Sequence, residues 1–152
     1  MRPACFALVL LLGLAADAAA QGACAGGSDR PRVRVLTDPI EFRPPGVADF
    51  RSGFVFSDPV RVRVTARGGP SRPWDLCLAG VSPDFGGGKP LADLQWQVEG
   101  DAGWTSVDTA DRLVTSGGGN TQVVLRFRSL LRFETDAPGA YEARLRFAVA
   151  GR

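Results

Sequence analysis

Hydrophobic and polar residues alternate along most of this chain with the period of a β-strand. Val33 and Val35 flank Arg34, and Val60, Val62 and Val64 are interleaved with Arg61, Arg63 and Thr65. Trp74, Leu76 and Leu78 share one face, as do Leu94, Trp96 and Val98. The longest runs close the chain: Val123, Leu125, Phe127, Leu131 and Phe133 share one parity, then Tyr141, Ala143, Leu145, Phe147 and Val149 share another. Side chains on a strand point alternately to its two faces, so each run predicts a strand with one face in a core. No segment of about ten residues or more repeats with the period of a helix.

The breaks between runs carry turn chemistry. Prolines and glycines separate the early strands, and Pro39, Pro44 and Pro45 mark the first ones as edge strands, because proline cannot donate to a ladder. Pro138-Gly139 predicts a reversal that folds the last two runs into a hairpin, with a bulge near Arg128-Ser129 to relieve so long a strand. In that hairpin Arg132 would lie opposite Glu142. Asp136, Gly139 and Tyr141 have the spacing Asp-x-x-Gly-x-Tyr, which resembles the tyrosine corner of immunoglobulin-like sandwiches, although Ala143 stands where an antibody domain has cysteine. The expected fold is all-β, an immunoglobulin-like antiparallel β-sandwich of about seven to eight strands over residues 32–150.

The N-terminus changes the compartment. Arg2 precedes an apolar run from Phe6 to Ala16, and Ala18-Ala19-Ala20 offers small residues for cleavage, so residues 1–20 read as a signal peptide and the protein as secreted, periplasmic or cell-surface. Residues 21–31 read as a flexible Gly-rich leader. Losing the signal removes Arg2 and Asp17 together and leaves the net charge of +2 unchanged. That balance points to no nucleic acid partner, and no later segment is apolar enough for a transmembrane span. Cys5 leaves with the signal. Cys24 and Cys77 then make an even count, which in an exported chain favours a disulfide; the alternative is a lipid anchor on Cys24, although Gln21-Gly22-Ala23 lacks the aliphatic residue of a lipobox.

The chain contains no histidine, which removes His-based catalysis and His-ligated zinc. It has no Cys-x-x-Cys and no phosphate-binding glycine loop, and no catalytic, cofactor-binding or metal residue is assigned. Asp75, Asp84, Asp93 and Glu99 leave a carboxylate-pair hydrolase only formally open, and Asp101, Asp108 and Asp111 do not have EF-hand spacing. Trp74 and Trp96 are in phase with core neighbours, so Trp104 is the candidate ligand-stacking residue. The outward parity of the expected hairpin carries Arg126, Arg128 and Arg132 on one strand and Arg144 and Arg146 on the next, a candidate contact for acidic polysaccharide or anionic headgroups. Basic residues number 18, and Lys89 is the single lysine among them, a compositional bias towards arginine.

Taken together, Ile40-Glu41-Phe42, Trp74-x-Leu76-x-Leu78, Leu94-x-Trp96, Trp104 and the closing Asp136-x-Pro138-Gly139-x-Tyr141 resemble secreted bacterial immunoglobulin-like β-sandwich domains of surface and fimbria-like proteins. The resemblance implies an exported non-catalytic module. The expected role is structural, adhesive or in assembly at the cell envelope, with other cell-envelope proteins or an acidic polysaccharide as partners.

Overall fold

The computed structural model describes residue 24 and residues 31–37, 39–67, 72–136 and 140–152. The expected signal peptide, most of the leader, and Pro138 and Gly139 of the expected turn lie outside the described residues. Alternation has produced strands almost everywhere it was read: β1 (Arg32–Val35), β2 (Phe54–Phe56), β3 (Val60–Thr65), β4 (Pro73–Gly80), β5 (Leu94–Val98), β6 (Thr105–Ser106), β7 (Arg112–Gly118), β8 (Thr121–Leu130) and β9 (Leu145–Gly151). All the described pairings are antiparallel. They build a six-stranded sheet ordered β1-β3-β8-β5-β6, with β2 also on β8, and a three-stranded sheet ordered β7-β4-β9. The fold is an all-β sandwich, and β1, flanked by prolines, is an edge strand as expected.

The inward parity of each strand fills the space between the sheets. Val60, Val62 and Val64 of β3 and Leu125 and Phe127 of β8 meet Trp74, Leu76 and Leu78 of β4 in one core cluster. Burying each such side chain contributes roughly 1.5–3 kcal/mol. Trp74 sits over Gly117, where a Cβ would come within 2.5 Å of its ring, and its Nε1–H donates to the Gly119 carbonyl at 2.9 Å. Glycine at 117 is therefore what lets β7 approach the indole.

Cys77 alternates away from this cluster and is joined to Cys24, with Cα atoms 6.2 Å apart. The bridge spans 53 residues and ties the N-terminal segment to the outer face of β4. By the chain-entropy model such a closure stabilises by roughly 4 kcal/mol.

The expected C-terminal hairpin is not formed. β8 lies between β3 and β5 in the larger sheet, whereas β9 pairs with β4 in the smaller one, so the segment between them crosses from sheet to sheet. Arg132 accordingly has no cross-strand relation to Glu142. No bulge interrupts β8 at Arg128-Ser129 either; the break is in its partner, where Ser57, Asp58 and Pro59 separate β2 from β3. Past Leu130 the parity fails, and Phe133 is 84% exposed, with its ring edge-on to Phe50 at 5.9 Å.

A short helix, α1 (Val47–Ser52), fills part of the β1–β2 connection. Asp49 holds its start: the carboxylate accepts from the Gly46 N–H at 2.7 Å and from Arg43 through both oxygens, at 2.6 and 2.5 Å. Gly53, at φ 80°, closes the helix in the left-handed conformation that glycine adopts without strain.

Candidate functional site

Three features of the described residues have chemistry beyond packing. The first is a seam along one side of the sandwich. β9 is an edge strand, and no described strand pairs with its outer side. Its inward residues Leu145, Phe147 and Val149, with Tyr141 and Ala143 just before them, pack on the core yet are only half-buried. The facing edge of the larger sheet repeats this: Val33 and Val35 of β1, then Ile40 and Phe42, are half-buried too. Their neighbours one strand inward are sealed, with Val62 and Leu76 at 0% exposure. Both exposed rows belong to one flank, because β1 and β9 touch each other across the sandwich. On the opposite flank Trp96, Val107 and Val114 are buried. An edge with unpaired backbone groups beside an apolar row is the form that accepts an added strand.

The second feature is the outer face of the six-stranded sheet. Arg32 and Arg34 of β1, Arg61 and Arg63 of β3, and Arg126 and Arg128 of β8 all occupy outward positions, and Gln95, Gln97 and Gln122 fill places between them. No Asp or Glu occurs within β1, β3, β5 or β8. Arg34 is directly opposite Arg63, a like-charge pairing that costs stability. Among the described residues none of these six arginines has an ion-pair partner. At one border of the face Arg128 stacks on Trp104 at 4.4 Å and on Phe54 at 5.2 Å, while Nε donates to Gln95 at 2.7 Å. Phe56, 47% exposed, extends the aromatic strip with its ring 5.7 Å from that of Trp104.

The expected arginine row is thus divided. Arg126 and Arg128 do share a sheet face, and Trp104 joins Arg128 there. Arg146 faces out from the other sheet, bonded to Asp111 at 2.8 Å, and Arg144 is 4.0 Å from Glu142. Arg132 leaves the sheet and reaches Asp93 at 2.7 Å. The row dissolves because β8 and β9 lie in opposite sheets, so their outward faces look in opposite directions. Sequence reasoning passed over Arg32, Arg34, Arg61 and Arg63; their alternation was visible, but the strand order that sets them beside β8 was not.

The third feature is a buried ionic cluster. Three consecutive glycines, Gly86, Gly87 and Gly88, run at positive φ and lead into Lys89, whose side chain is 2% exposed. Its Nζ donates to Asp136 at 2.7 Å and to Asp93 at 3.2 Å, and lies 5.8 Å and 6.0 Å from the ring centres of Phe85 and Tyr141. Arg132 completes the group through its guanidinium on Asp93 and its backbone N–H on Asp136 at 2.9 Å. Burial pushes the Asp136 carboxyl upward, but hydrogen bonds from Lys89 and the Arg132 N–H, together with the charges of both cations, outweigh it and hold the acid below the ordinary aspartate range. Of the expected corner residues, Asp136 and Tyr141 therefore meet around Lys89. The ring of Tyr141 closes over Gly87, where a Cβ would lie 2.9 Å from it.

Three of the remaining acids have separate structural partners. Asp75 bonds Ser116 at 2.5 Å and Arg152 at 3.1 Å, Asp84 accepts from the Gly86 N–H, and Asp108 holds Arg112 at 2.7 Å. Among the described residues no group of three or more acids and cysteines is placed to hold a metal ion, and no helix is long and apolar enough to cross a membrane. No protein-family model matches the chain, and a search of curated proteins finds no match either.

Proposed function

We propose that this is an exported, non-catalytic immunoglobulin-like module of the cell envelope that works by assembly, taking a β-strand from another envelope protein or another copy along β9. The open seam between β1 and β9 carries this reading. The strand order supports its immunoglobulin-like side: β1-β3-β8-β5 and β4-β9 follow the order A-B-E-D and C-F, and the place of strand G, beside F, is the side of β9 with which no described strand pairs. An incoming strand gains a ladder of backbone hydrogen bonds from β9 and buries alternate side chains between Val33 or Val35 and Phe147 or Val149. The Cys24–Cys77 bridge suits an oxidising compartment.

The test is sedimentation of residues 21–152 across a wide concentration range, with and without a soluble envelope fraction, beside the variant Phe147→Lys. Its ammonium can reach water from the open seam, so the fold survives, but the charge obstructs an added strand. The wild type forms larger species and the variant does not. A wild type that stays monomeric under all these conditions, or a variant that associates equally, contradicts the proposal.

A second reading rests on the cationic sheet face. Six arginines with no ion-pair partner among the described residues, bordered by the Trp104 and Phe56 rings, form a contact surface for an acidic polysaccharide, with guanidinium forks on carboxylates and sugar rings on the aromatic strip. Replacing Arg61, Arg63 and Arg126 by Gln releases the protein from a heparin column at lower salt; unchanged elution removes this reading.

A further inference from the structure

The single lysine of a chain with 18 basic residues is also its one buried cation among the described residues. Every described arginine stays at least partly in water. Where a cation only has to satisfy carboxylates, an arginine fork does so with more hydrogen bonds, and this sequence uses arginine everywhere else. A primary amine differs from a guanidinium in one respect that matters here: once deprotonated it is a nucleophile. Lys89 Nζ is 2.7 Å from one carboxylate and 3.2 Å from a second, enclosed by Phe85 and Tyr141.

We propose that Lys89 and Asp136 condense to an intramolecular amide. In a minor population the Lys89 ammonium gives a proton to Asp136 Oδ2, the oxygen it already touches, making amine and carboxylic acid within the enclosed site. The amine nitrogen attacks Cγ of Asp136 and the N–C bond forms. Asp93, touching the same nitrogen, accepts its second proton and passes it to the departing hydroxyl; the C–O bond breaks and water leaves. One ammonium and one carboxylate thus become one neutral amide and one water, with no oxidant, reductant or cofactor. The Arg132 N–H, on Asp136 Oδ2 at 2.9 Å, holds the departing oxygen in place while the other carboxyl oxygen takes the developing charge. A recess of about 200 Å³ lined by Gly87, Gly88, Pro90, Arg132 and Thr135 adjoins both reacting residues and gives the water a way out.

Charge accounting favours the product. Before reaction the cluster holds two cations and two anions, and Lys89 and Asp93 are almost completely removed from solvent. Afterwards Arg132 and Asp93 remain as one pair, the amide N–H still has Asp93 as its acceptor, and no ammonium has to be kept away from water. The bond would join residues 47 apart in sequence, fastening the crossover between the sheets to the glycine loop after β4. Asp93, four residues from Lys89, would cross-link only a local turn.

The measurement is the intact mass of the purified protein. Wild type is lighter than its sequence by one water, beyond the hydrogens lost to the disulfide, whereas Lys89→Arg and Asp136→Ala have their full masses. Tryptic digestion yields a branched peptide joining the segment that contains Lys89 to Phe133–Arg144. Because Lys89 is the only lysine, amine labelling of the denatured wild type marks no side chain. A wild type at full mass with a reactive Lys89, or a bond mapped to Asp93, overturns the proposal; peptide mapping of the wild type decides even where a variant fails to fold.

Discussion

Trp74 and Trp96 show how much a single polar atom can decide in a core of this kind. Both indoles are buried, but Trp74 donates to the Gly119 carbonyl, whereas Trp96 Nε1 is buried with no partner among the described residues. Trp74→Phe therefore loses a hydrogen bond and leaves an unmet carbonyl, and Trp96→Phe removes an unmet donor. Urea unfolding should show Trp74→Phe to be the more destabilising change by about 1 kcal/mol or more, given the usual worth of a buried hydrogen bond; equal losses would mean that cavity volume alone sets the cost. Gly87 makes a second comparison. At φ 59°, with Tyr141 where a Cβ would go, Gly87→Ala should destabilise by at least about 1 kcal/mol. Gly88→Ala, equally left-handed but with nothing within 4 Å, should cost less. Thermal melts of the two variants check the order.

At the scale of elements, α1 was not legible because six residues cannot display a helical period, yet its signal was present. Pro45-Gly46 followed by Asp49 places an acid at the third helical position, where it can bond back to the start. Hydrogen bonds from Arg43 and Gly46, and the Arg43 charge, hold the Asp49 carboxyl below its ordinary range against a smaller opposing effect of burial. A depressed carboxylate contributes stability that is complete above its unfolded pKa of about 3.9 and is lost as pH falls through the lower folded value. Slow exchange of the α1 amides should accordingly persist at pH 5 and collapse only below about pH 3.9; collapse already between pH 5 and 7 would contradict this assignment. The strands were far more legible than their partners. Alternation located β3, β4, β5, β8 and β9 because one buried face leaves a period-two trace. The same trace cannot say which sheet receives a strand: Pro138-Gly139 marks a change of direction, and inward parity after it is the same for a hairpin and for a crossing. The expected bulge failed for a similar reason, since the kink at Ser57, Asp58 and Pro59 belongs to a partner strand that the run from Val123 to Phe133 cannot reveal.

For the whole molecule, the sheet order redistributes the charge. A protein of net charge +2 turns six arginines to one side, a concentration hidden in the sequence because those residues come from three separate segments. The ion pairs on the other sheet, Arg146 with Asp111 and Arg152 with Asp75, balance that face locally. The disulfide acts at the same scale. Reduction of Cys24–Cys77 should lower stability by roughly 4 kcal/mol, read as a fall in the urea midpoint; an unchanged midpoint would mean that the N-terminal segment adds nothing to the fold.

The assembly account depends on the outer side of β9 being open in the isolated protein and filled in the assembly. Hydrogen exchange resolved along Leu145–Gly151, compared between the monomer and the associated form, measures this directly. The account predicts that the outward amides of β9 exchange fast in the monomer while those of β4 are slow, and that association slows the β9 amides selectively. Equal exchange of β9 in the two forms, or β9 already as protected as β4 in the monomer, would contradict it.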